Sequence, residues 1–368
     1  MPGIDRRLIQ HFEWPLFSMA LLLGLIGVLN LVSAAPESAA GIPATAWRQL
    51  LWLGVGLALL FVCLLPDYRI LERLAIPAYV ACIVALVAVL IFGPVINGTQ
   101  RWLPVFGLRV QPSEITKVAM LILFARTLVR HPPDREIGMM DLVGPVALVA
   151  LPAILVLRQP DLGNAMLLVL VAGAYLLIAR SGARLLPSLG VGAIALSAAG
   201  WFFVLREYQK ERVLTFLNPE RDPLGAAYHS IQSQIAVGSG GLFGRGFLQG
   251  PQSQLDFLPE QQTDFVFSVL GEEWGFLGAC FVLLLYLGVM IRVLMIAHAS
   301  KDQFGAYLTF GVTALFFWPT AINVAMVLGL FPVVGVPLPL LSYGGSSMLT
   351  SMIALGLAMN VSMRRYVF

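Results

Sequence analysis

The stretch LDFLPEQQTDFVFSVLGEEWG, residues 255–275, marks the point where the longest polar segment of the chain gives way to an apolar helix. Its acids therefore fall where water meets hydrocarbon. Ionised carboxylates near a low-dielectric medium are costly, and such positions are typical of substrate, ion or proton sites. We therefore expect the rest of the chain to hold this boundary in place, and the function to depend on its acids, which are Asp256, Glu260, Asp264, Glu272 and Glu273.

The composition indicates a membrane protein. Hydrophobic residues make up 58% of the 368 residues and charged residues only 12%. The net charge of +3 is too small to indicate a nucleic-acid partner. Three cysteines lie inside apolar runs without the spacing of a metal site. The first apolar stretch, Leu16 to Val32, is longer than the roughly 15 residues of a signal-peptide core, which predicts an uncleaved first helix.

Apolar runs predict an all-α fold of about ten transmembrane helices, forming one integral membrane domain over residues 1–368. Loop segments on one side hold thirteen Arg and Lys residues and those on the other side four. This asymmetry predicts cytoplasmic termini and places the loop 205–264, before the eighth helix, outside the cell. Region 139–179 forms either two crossings or a re-entrant pair. The predicted helices span 15–34, 47–65, 75–92, 113–130, 139–156, 164–179, 184–204, 265–291, 303–326 and 345–362.

The long outer loop is expected to contain amphipathic helices, because about sixty structureless residues would be unusual. Its glycine run, Gly238 to Gly246, lacks the G-x-G-x-x-G dinucleotide pattern. The backbone amides of this run either bind phosphate or leave the loop flexible. No Walker motif is present in the sequence, so a nucleotide cofactor is not expected.

Charged groups from four distant segments are predicted to meet at the outer face. Their shared depth indicates a polar cavity, the alternative being a scatter of unrelated helix ends. Glu114 and Lys117 are three residues apart in a predicted helix, which places them on one face as an ion pair. The residues expected at the cavity are Arg101, Arg109, Glu114, Lys117, Arg158, Asp161 and Glu260.

Asp264 directly precedes an apolar helix and has two interpretations. It is either a helix cap that accepts backbone hydrogen bonds, or a general base whose pKa is raised by desolvation and which lies near arginines that bind an anionic substrate. Glu272 and Glu273 lie deeper, where we expect internal partners to neutralise them.

Four motifs resemble those of the SEDS (shape, elongation, division, sporulation) family. They are QPSE at 111–114, RQPDLG at 158–163, LPEQQTDF at 258–265 and LSYGGS at 341–346. The resemblance covers essentially the whole chain, and the segment 252–260 is more similar to elongation-type than to division-type members. One departure is Gln262, where many members carry histidine.

The resemblance implies a peptidoglycan glycosyltransferase in the bacterial cytoplasmic membrane that polymerises lipid II outside the cell with a class B penicillin-binding protein. The family's essential loop aspartate corresponds to Asp264, and its cavity pair to Glu114 and Lys117. On this basis we expect inverting transfer, with undecaprenyl pyrophosphate leaving. A divalent cation, Mg or Mn, is a further expectation, with Asp264 and Glu114 as candidate ligands. The cations expected to stabilise the leaving group are Arg101, Arg109, Lys117 and Arg158.

Two other functions remain open from the sequence. The first is a flippase for lipid-linked precursors, against which the clustering of polar groups on one face argues. The second is a non-catalytic scaffold that activates a penicillin-binding protein. Such a scaffold would dock a partner helix on outward faces of the last helices through small residues, namely Gly329, Gly335 and Ala354.

Overall fold

The computed structural model describes residues 11–34, 43–96, 98–105, 108–131, 136–178, 187–188, 190–192, 198, 200–202, 207–218, 222, 225, 227–255, 257–258 and 260–365. In chain order the elements are α1 (Trp14–Ser33), α2 (Ala44–Leu64), α3 (Arg69–Phe92), β1 (Leu103–Val105), β2 (Leu108–Val110), α4 (Pro112–Val129), α5 (Val143–Arg158), α6 (Leu162–Ile178), α7 (Glu207–Leu217), α8 (Tyr228–Ser239), α9 (Pro251–Gln254), α10 (Val266–Ala299), α11 (Gln303–Val327) and α12 (Gly345–Arg364).

The described part of the chain contains seven helical segments long and apolar enough to cross a membrane. They are α1, α2, α3, the segment Met140–Arg158 that includes α5, and α10, α11 and α12, while α6 is apolar but shorter. Every predicted helix except 184–204 has a counterpart among these elements and α4. The range 184–204 lies largely outside the described residues, so the total of ten and the shared side of the termini stay predictions.

Two helices extend further than their apolar runs indicate. α3 begins at Arg69, because the main-chain N–H of Arg69 donates to the Asp67 carboxylate and Pro77 is accommodated inside the helix. α10 continues past residue 291 to Ala299 because Arg292, which interrupts the apolar run, forms an ion pair with Glu13. A charged residue that is paired with another group can therefore lie within a helix, even where the hydropathy pattern predicts that the helix ends.

The last helix is the centre of the bundle, contrary to the expectation that it offers an outward docking face. Ala354, Leu355 and Met359 on α12 are fully buried. α2 approaches α12 so closely that a Cβ on Gly356 would lie 2.9 Å from the main-chain oxygen of Leu60. Only glycine allows two helix backbones to come this near. Exposed apolar side chains lie instead on outer helices such as α2, α3 and α10.

Among its described residues, the predicted outer loop 205–264 contains the helices α7, α8 and α9, so it is not structureless. That these helices lie on the membrane surface stays a prediction. The glycine run of the loop packs against α10 where that helix kinks at Gly275, whose φ is +67°. The amides of Arg245 and Gly246 donate to the main-chain oxygens of Glu272 and Glu273 at 2.9 and 3.0 Å. These two amides therefore form hydrogen bonds within the protein. At Arg245 and Gly246 the glycine run neither offers its amides to a phosphate nor acts as a flexible linker.

The two deep glutamates have internal partners, as expected. The Glu272 carboxylate accepts the N–H groups of Gln252 and Ser253 at 2.8 and 3.1 Å and so caps α9. The Glu273 carboxylate accepts the N–H of Leu248 at 3.2 Å and the hydroxyl of Ser33. Both side chains are buried. They fasten the loop that precedes α10 to that helix.

Candidate active site

Asp264 lies in the turn that precedes α10, and it does not cap this helix. The N-cap residue is Phe265, and within the described part of the chain no side-chain capping hydrogen bond forms at this end of the helix. The Asp264 side chain is partly buried, and a Cβ added to Gly335 would lie 3.3 Å from its Oδ2 atom. Because the carboxylate is not engaged as a cap, the general-base interpretation of Asp264 gains support.

The turn around Asp264 is held from two sides. The Asn323 amide on α11 donates to the main-chain oxygens of Asp264 and Val336 at 2.8 and 2.7 Å. The Ser342 hydroxyl donates to the Thr263 oxygen at 2.6 Å. Backbone groups in a polar loop near hydrocarbon need such partners. The carboxylate is therefore presented by a rigid segment.

Glu260 shapes the same turn with its backbone. Its φ is +52°, which is uncommon for a residue with a side chain. Its main-chain oxygen accepts the N–H groups of Thr263, Asp264 and Phe265 at 3.1 to 3.3 Å. The Glu260 side chain is exposed and accepts the Thr263 hydroxyl at 3.0 Å. A left-handed residue held in this way is typical of functional loops.

Asp161 is held by nitrogen donors at the turn between α5 and α6. Its carboxylate accepts the side-chain amides of Gln111 and Asn164 at 2.9 Å each, and the main-chain N–H of Asn164 at 3.2 Å. The Arg101 guanidinium lies 3.9 Å away and donates to the main-chain oxygens of Gln159 and Pro160. Asp161 thus joins the segments before α4 and α6 and fixes Arg101.

Glu114 and Lys117 form the predicted ion pair in the first turns of α4, which Pro112 begins. The Lys117 Nζ atom lies 2.7 Å from Glu114 Oε1 and donates to the Asn164 side-chain oxygen at 3.0 Å. Both side chains are about 95% buried, with 5% and 3% exposed. With Ser347 they line a cavity of about 10 Å³, enough for about one water molecule. Through Asn164 this pair is continuous with Asp161.

The electrostatics connect Asp264 to this network. Burial raises the pKa of Asp264 from 3.8 to about 6, and the Glu260 charge adds to the rise. The Arg212 guanidinium opposes it, Asp161 raises the pKa further, and Arg101 lowers it. Charges that act on one carboxyl in this way share one site, which supports the polar cavity over scattered helix ends.

Two residues of the loop helices join the site without having been predicted for it. The charge of Arg212 on α7 lowers the pKa of Asp264, and its guanidinium donates to the Val333 main-chain oxygen at 3.1 Å. His229 on α8 stacks on Phe265, with ring centroids 6.2 Å apart. Burial and Arg212 lower the pKa of His229, whereas Glu260 raises it. The only sequence signal was that both lie in the outer loop.

Two predicted site residues lie apart from the network. Arg109 is exposed on β2, which pairs with β1 in a short antiparallel hairpin that the sequence did not indicate. Arg158 is exposed at the end of α5. Within the described ranges neither forms an ion pair. The structure therefore brings together Arg101, Glu114, Lys117, Asp161, Glu260 and Asp264, whereas Asp256 lies outside the described residues.

The small residues proposed for partner docking differ in their burial. Ala354 is fully buried in α12 and offers no outward docking face. Gly335 lies beside Asp264 and Gly329 beside the Gln234 side chain, and both glycines are partly exposed. A docking role for these two glycines stays a prediction.

The carboxylates do not form a metal cage as they are arranged. Among the described residues, no three acidic, histidine or cysteine side chains converge. The Asp161 and Glu114 carboxylates already accept hydrogen bonds from nitrogen. Mg²⁺ needs only one or two protein carboxylates when phosphates complete its shell. A divalent cation at Asp264 or Glu114 stays a prediction that this geometry does not itself support.

Known proteins similar to this chain include two peptidoglycan glycosyltransferases. The chain is 42% identical over 320 residues to the peptidoglycan glycosyltransferase MrdB of Escherichia coli K12, covering 86% of this chain and 85% of that protein. It is 31% identical to the peptidoglycan glycosyltransferase RodA of Treponema pallidum, covering 97% and 99% of the two chains.

Solved structures show the same likeness. One, reported as the structural coordination of polymerization and crosslinking by a peptidoglycan synthase complex, contains a chain that is 33% identical with a TM-score of 0.82, covering 96% of this chain and 98% of that one. The rod shape determining protein RodA of Thermus thermophilus is 30% identical with a TM-score of 0.72 and the same coverage. The family model of FtsW, RodA and SpoVE, described as cell cycle proteins, matches residues 11–367. The chain therefore belongs to the FtsW/RodA/SpoVE family of cell cycle proteins.

Proposed function

We propose that the protein is a peptidoglycan glycosyltransferase of the RodA type, which polymerises lipid II during cell elongation and rod-shape maintenance. The observation that carries the proposal is the Asp264 carboxyl, presented by a rigid turn, with its pKa raised to about 6. Two arginines, Arg101 and Arg212, lie within electrostatic reach of it. A base beside cations suits a reaction in which a hydroxyl attacks and a phosphate leaves.

Asp264 acts as the general base. The 4-hydroxyl of an acceptor N-acetylglucosamine attacks the anomeric carbon of a donor N-acetylmuramic acid and gives its proton to the Asp264 carboxylate. The new glycosidic C–O bond forms as the bond to the pyrophosphate oxygen breaks, so configuration inverts. With a pKa of about 6 the carboxyl is ionised at neutral pH and still more basic than an ordinary aspartate.

The leaving undecaprenyl pyrophosphate gains negative charge as the bond breaks. Arg101 is fixed by the oxygens of Gln159 and Pro160, and Arg212 is held by that of Val333. Cations already in place need little reorganisation when charge develops. Arg101 and Arg212, whose charges both act on Asp264, are therefore assigned to the pyrophosphate in place of Arg109 and Arg158, for which the described residues show no such interaction.

The other acids have supporting roles. The Asp161 carboxylate is occupied by three N–H groups, and Glu114 is occupied by Lys117. Neither is available to take a proton from an acceptor. They hold the starts of α4 and α6 in register.

The membrane setting and the partner follow the same reasoning. The apolar helices, together with relatives named as peptidoglycan glycosyltransferases, support a multi-pass protein of the bacterial cytoplasmic membrane. The charge asymmetry of the loops supports a site that faces outside. The likeness to a chain of a peptidoglycan synthase complex supports a class B penicillin-binding protein as the partner.

The test is glycan polymerisation from purified lipid II by this protein with its class B partner, in the presence of moenomycin to exclude classical transglycosylases. Polymer from wild type and from the control Asp302→Asn, but not from Asp264→Ala, is the expected result. Asp302 is a suitable control because it caps α11, outside the site. Polymer from Asp264→Ala at the wild-type rate would overturn the assignment. Lipid II scrambling without polymer would favour a flippase, and an intact but inactive complex would favour a scaffold.

A further inference from the structure

A second cleft, mostly apolar but with charged side chains in its lining, lies at the end of the bundle opposite Asp264. It has a volume of about 520 Å³ and lies between the start of α1 and the ends of α10 and α12. Arg292 in this cleft is about 40 Å along α10 from the first residue of that helix, at 1.5 Å per residue. The cleft is therefore separate from the candidate active site. Its polar lining consists of Glu13, Arg292, His298 and Arg365.

The cleft has more positive than negative charge. The buried Glu13 is the only acid among its lining residues. One of its carboxylate oxygens pairs with Arg292 Nη2, and the other accepts the Ser362 hydroxyl at 2.8 Å. The buried Arg292 Nε atom has no hydrogen-bond partner in the described structure. Since Arg365 adds a second guanidinium, an anion complements this lining.

An apolar stripe leads away from these charges along α10. Leu284, Leu287, Ile291 and Met295 are all exposed, between 46% and 64%. Their spacing of three to four residues places them on one helix face. Ile291 and Met295 also line the cleft. The stripe therefore joins the basic lining to the face of a helix that is apolar enough to lie in lipid.

We propose that this cleft binds an acidic phospholipid of the membrane. Its headgroup phosphate is held by Arg292 and Arg365 with His298, and one acyl chain lies along the stripe from Met295 towards Leu284. Basic pockets between transmembrane helices bind anionic lipid headgroups in this way. A free phosphate would bind the guanidinium groups but would make no contact with the apolar stripe. A lipid contacts both the guanidinium groups and the stripe, so we favour a lipid as the ligand.

The test is titration of the full-length protein in detergent with short-chain phosphatidylglycerol, monitored by native mass spectrometry. Replacing Arg292 would leave Glu13 buried without its partner and endanger folding. The informative variants are therefore Met295→Glu, which places a carboxylate one turn from Arg292, and Arg365→Gln. The matched controls are Met295→Gln, which adds no charge, and Arg73→Gln, which removes an exposed arginine of α3 that does not line the cleft.

Wild type and both controls are expected to retain phosphatidylglycerol, while Arg365→Gln weakens binding about fivefold, as one cation near a lipid surface does. Met295→Glu weakens it by at least as much. The proposal is overturned if phosphatidylcholine binds as tightly as phosphatidylglycerol, or if Met295→Glu binds like Met295→Gln. It is also overturned if inorganic phosphate displaces the lipid at equal concentration, because the site would then recognise the phosphate alone.

Discussion

Replacing Asp264 with asparagine is expected to abolish most polymerisation while making the folded protein more stable. The two effects have one origin. The charge that lets Asp264 accept a proton is held in a partly buried turn, beside Glu260 and Asp161, where ionisation is unfavourable. Asparagine keeps the shape of the side chain and removes the charge. Stability given up at a functional residue is a recurrent feature of enzymes.

The size of the stability gain follows from the pKa of Asp264, which rises from 3.8 to about 6 on folding. Between these values the folded protein binds more protons than the unfolded chain, so its stability falls as pH rises through this window. Above pH 6 the loss is complete. A difference of about two units, at about 1.4 kcal/mol each, gives a penalty of about 3 kcal/mol that Asp264→Asn removes at neutral pH.

Thermal unfolding of the purified protein at pH 7.5 and pH 5 measures this gain, and lipid II polymerisation measures the activity. Asp264→Asn should unfold a few degrees above wild type at the higher pH, with the difference shrinking at the lower pH. Its activity should fall by roughly 10²–10⁴-fold, the usual contribution of a general base. Asp302→Asn is the matched control and should lose a little stability, because it removes the charge of a carboxylate that accepts the Tyr68 hydroxyl and lies 3.9 Å from the Arg69 guanidinium.

The reasoning would be refuted by an Asp264→Asn variant that is inactive but no more stable than wild type at pH 7.5. The ionised Asp264 carboxylate would then not destabilise the folded protein. It would be refuted equally by wild-type activity that does not decline below about pH 6, since a base must be ionised to work.

Three further outcomes are expected. Lys117→Met leaves the Glu114 charge buried without its partner and should lower the free energy of unfolding by about 3–5 kcal/mol. Adding Glu114→Gln should restore most of this free energy, and thermal unfolding measures both changes. Arg212→Gln removes a charge that lowers the pKa of Asp264, so the acid limb of the polymerisation profile should move to higher pH. Gly275→Ala puts a side chain at φ +67° and against the Gly244 amide, and should sharply reduce the monodisperse yield in gel filtration.

Much of the scaffold was predictable because hydropathy is a local property. Each apolar run that the structure describes is a helix, and Pro112 begins α4 where a proline is tolerated. The pairing of Glu114 with Lys117 followed from helical periodicity alone. Asp264 stood out from its position at the edge of an apolar run, although its residue type and neighbours fitted a cap as well as a base.

The amino-acid sequence by itself determined the membrane class, the helices and the segments that carry acids and bases, because these depend on residues near one another in the chain. Only the tertiary structure decided which charges meet. It brought the charge of Arg212 to bear on Asp264 and stacked His229 on Phe265. It also left Arg109 and Arg158 exposed and turned the last helix inward. Such convergence is set by the packing of distant helices and by which buried charges find partners, and no local pattern in the sequence records it.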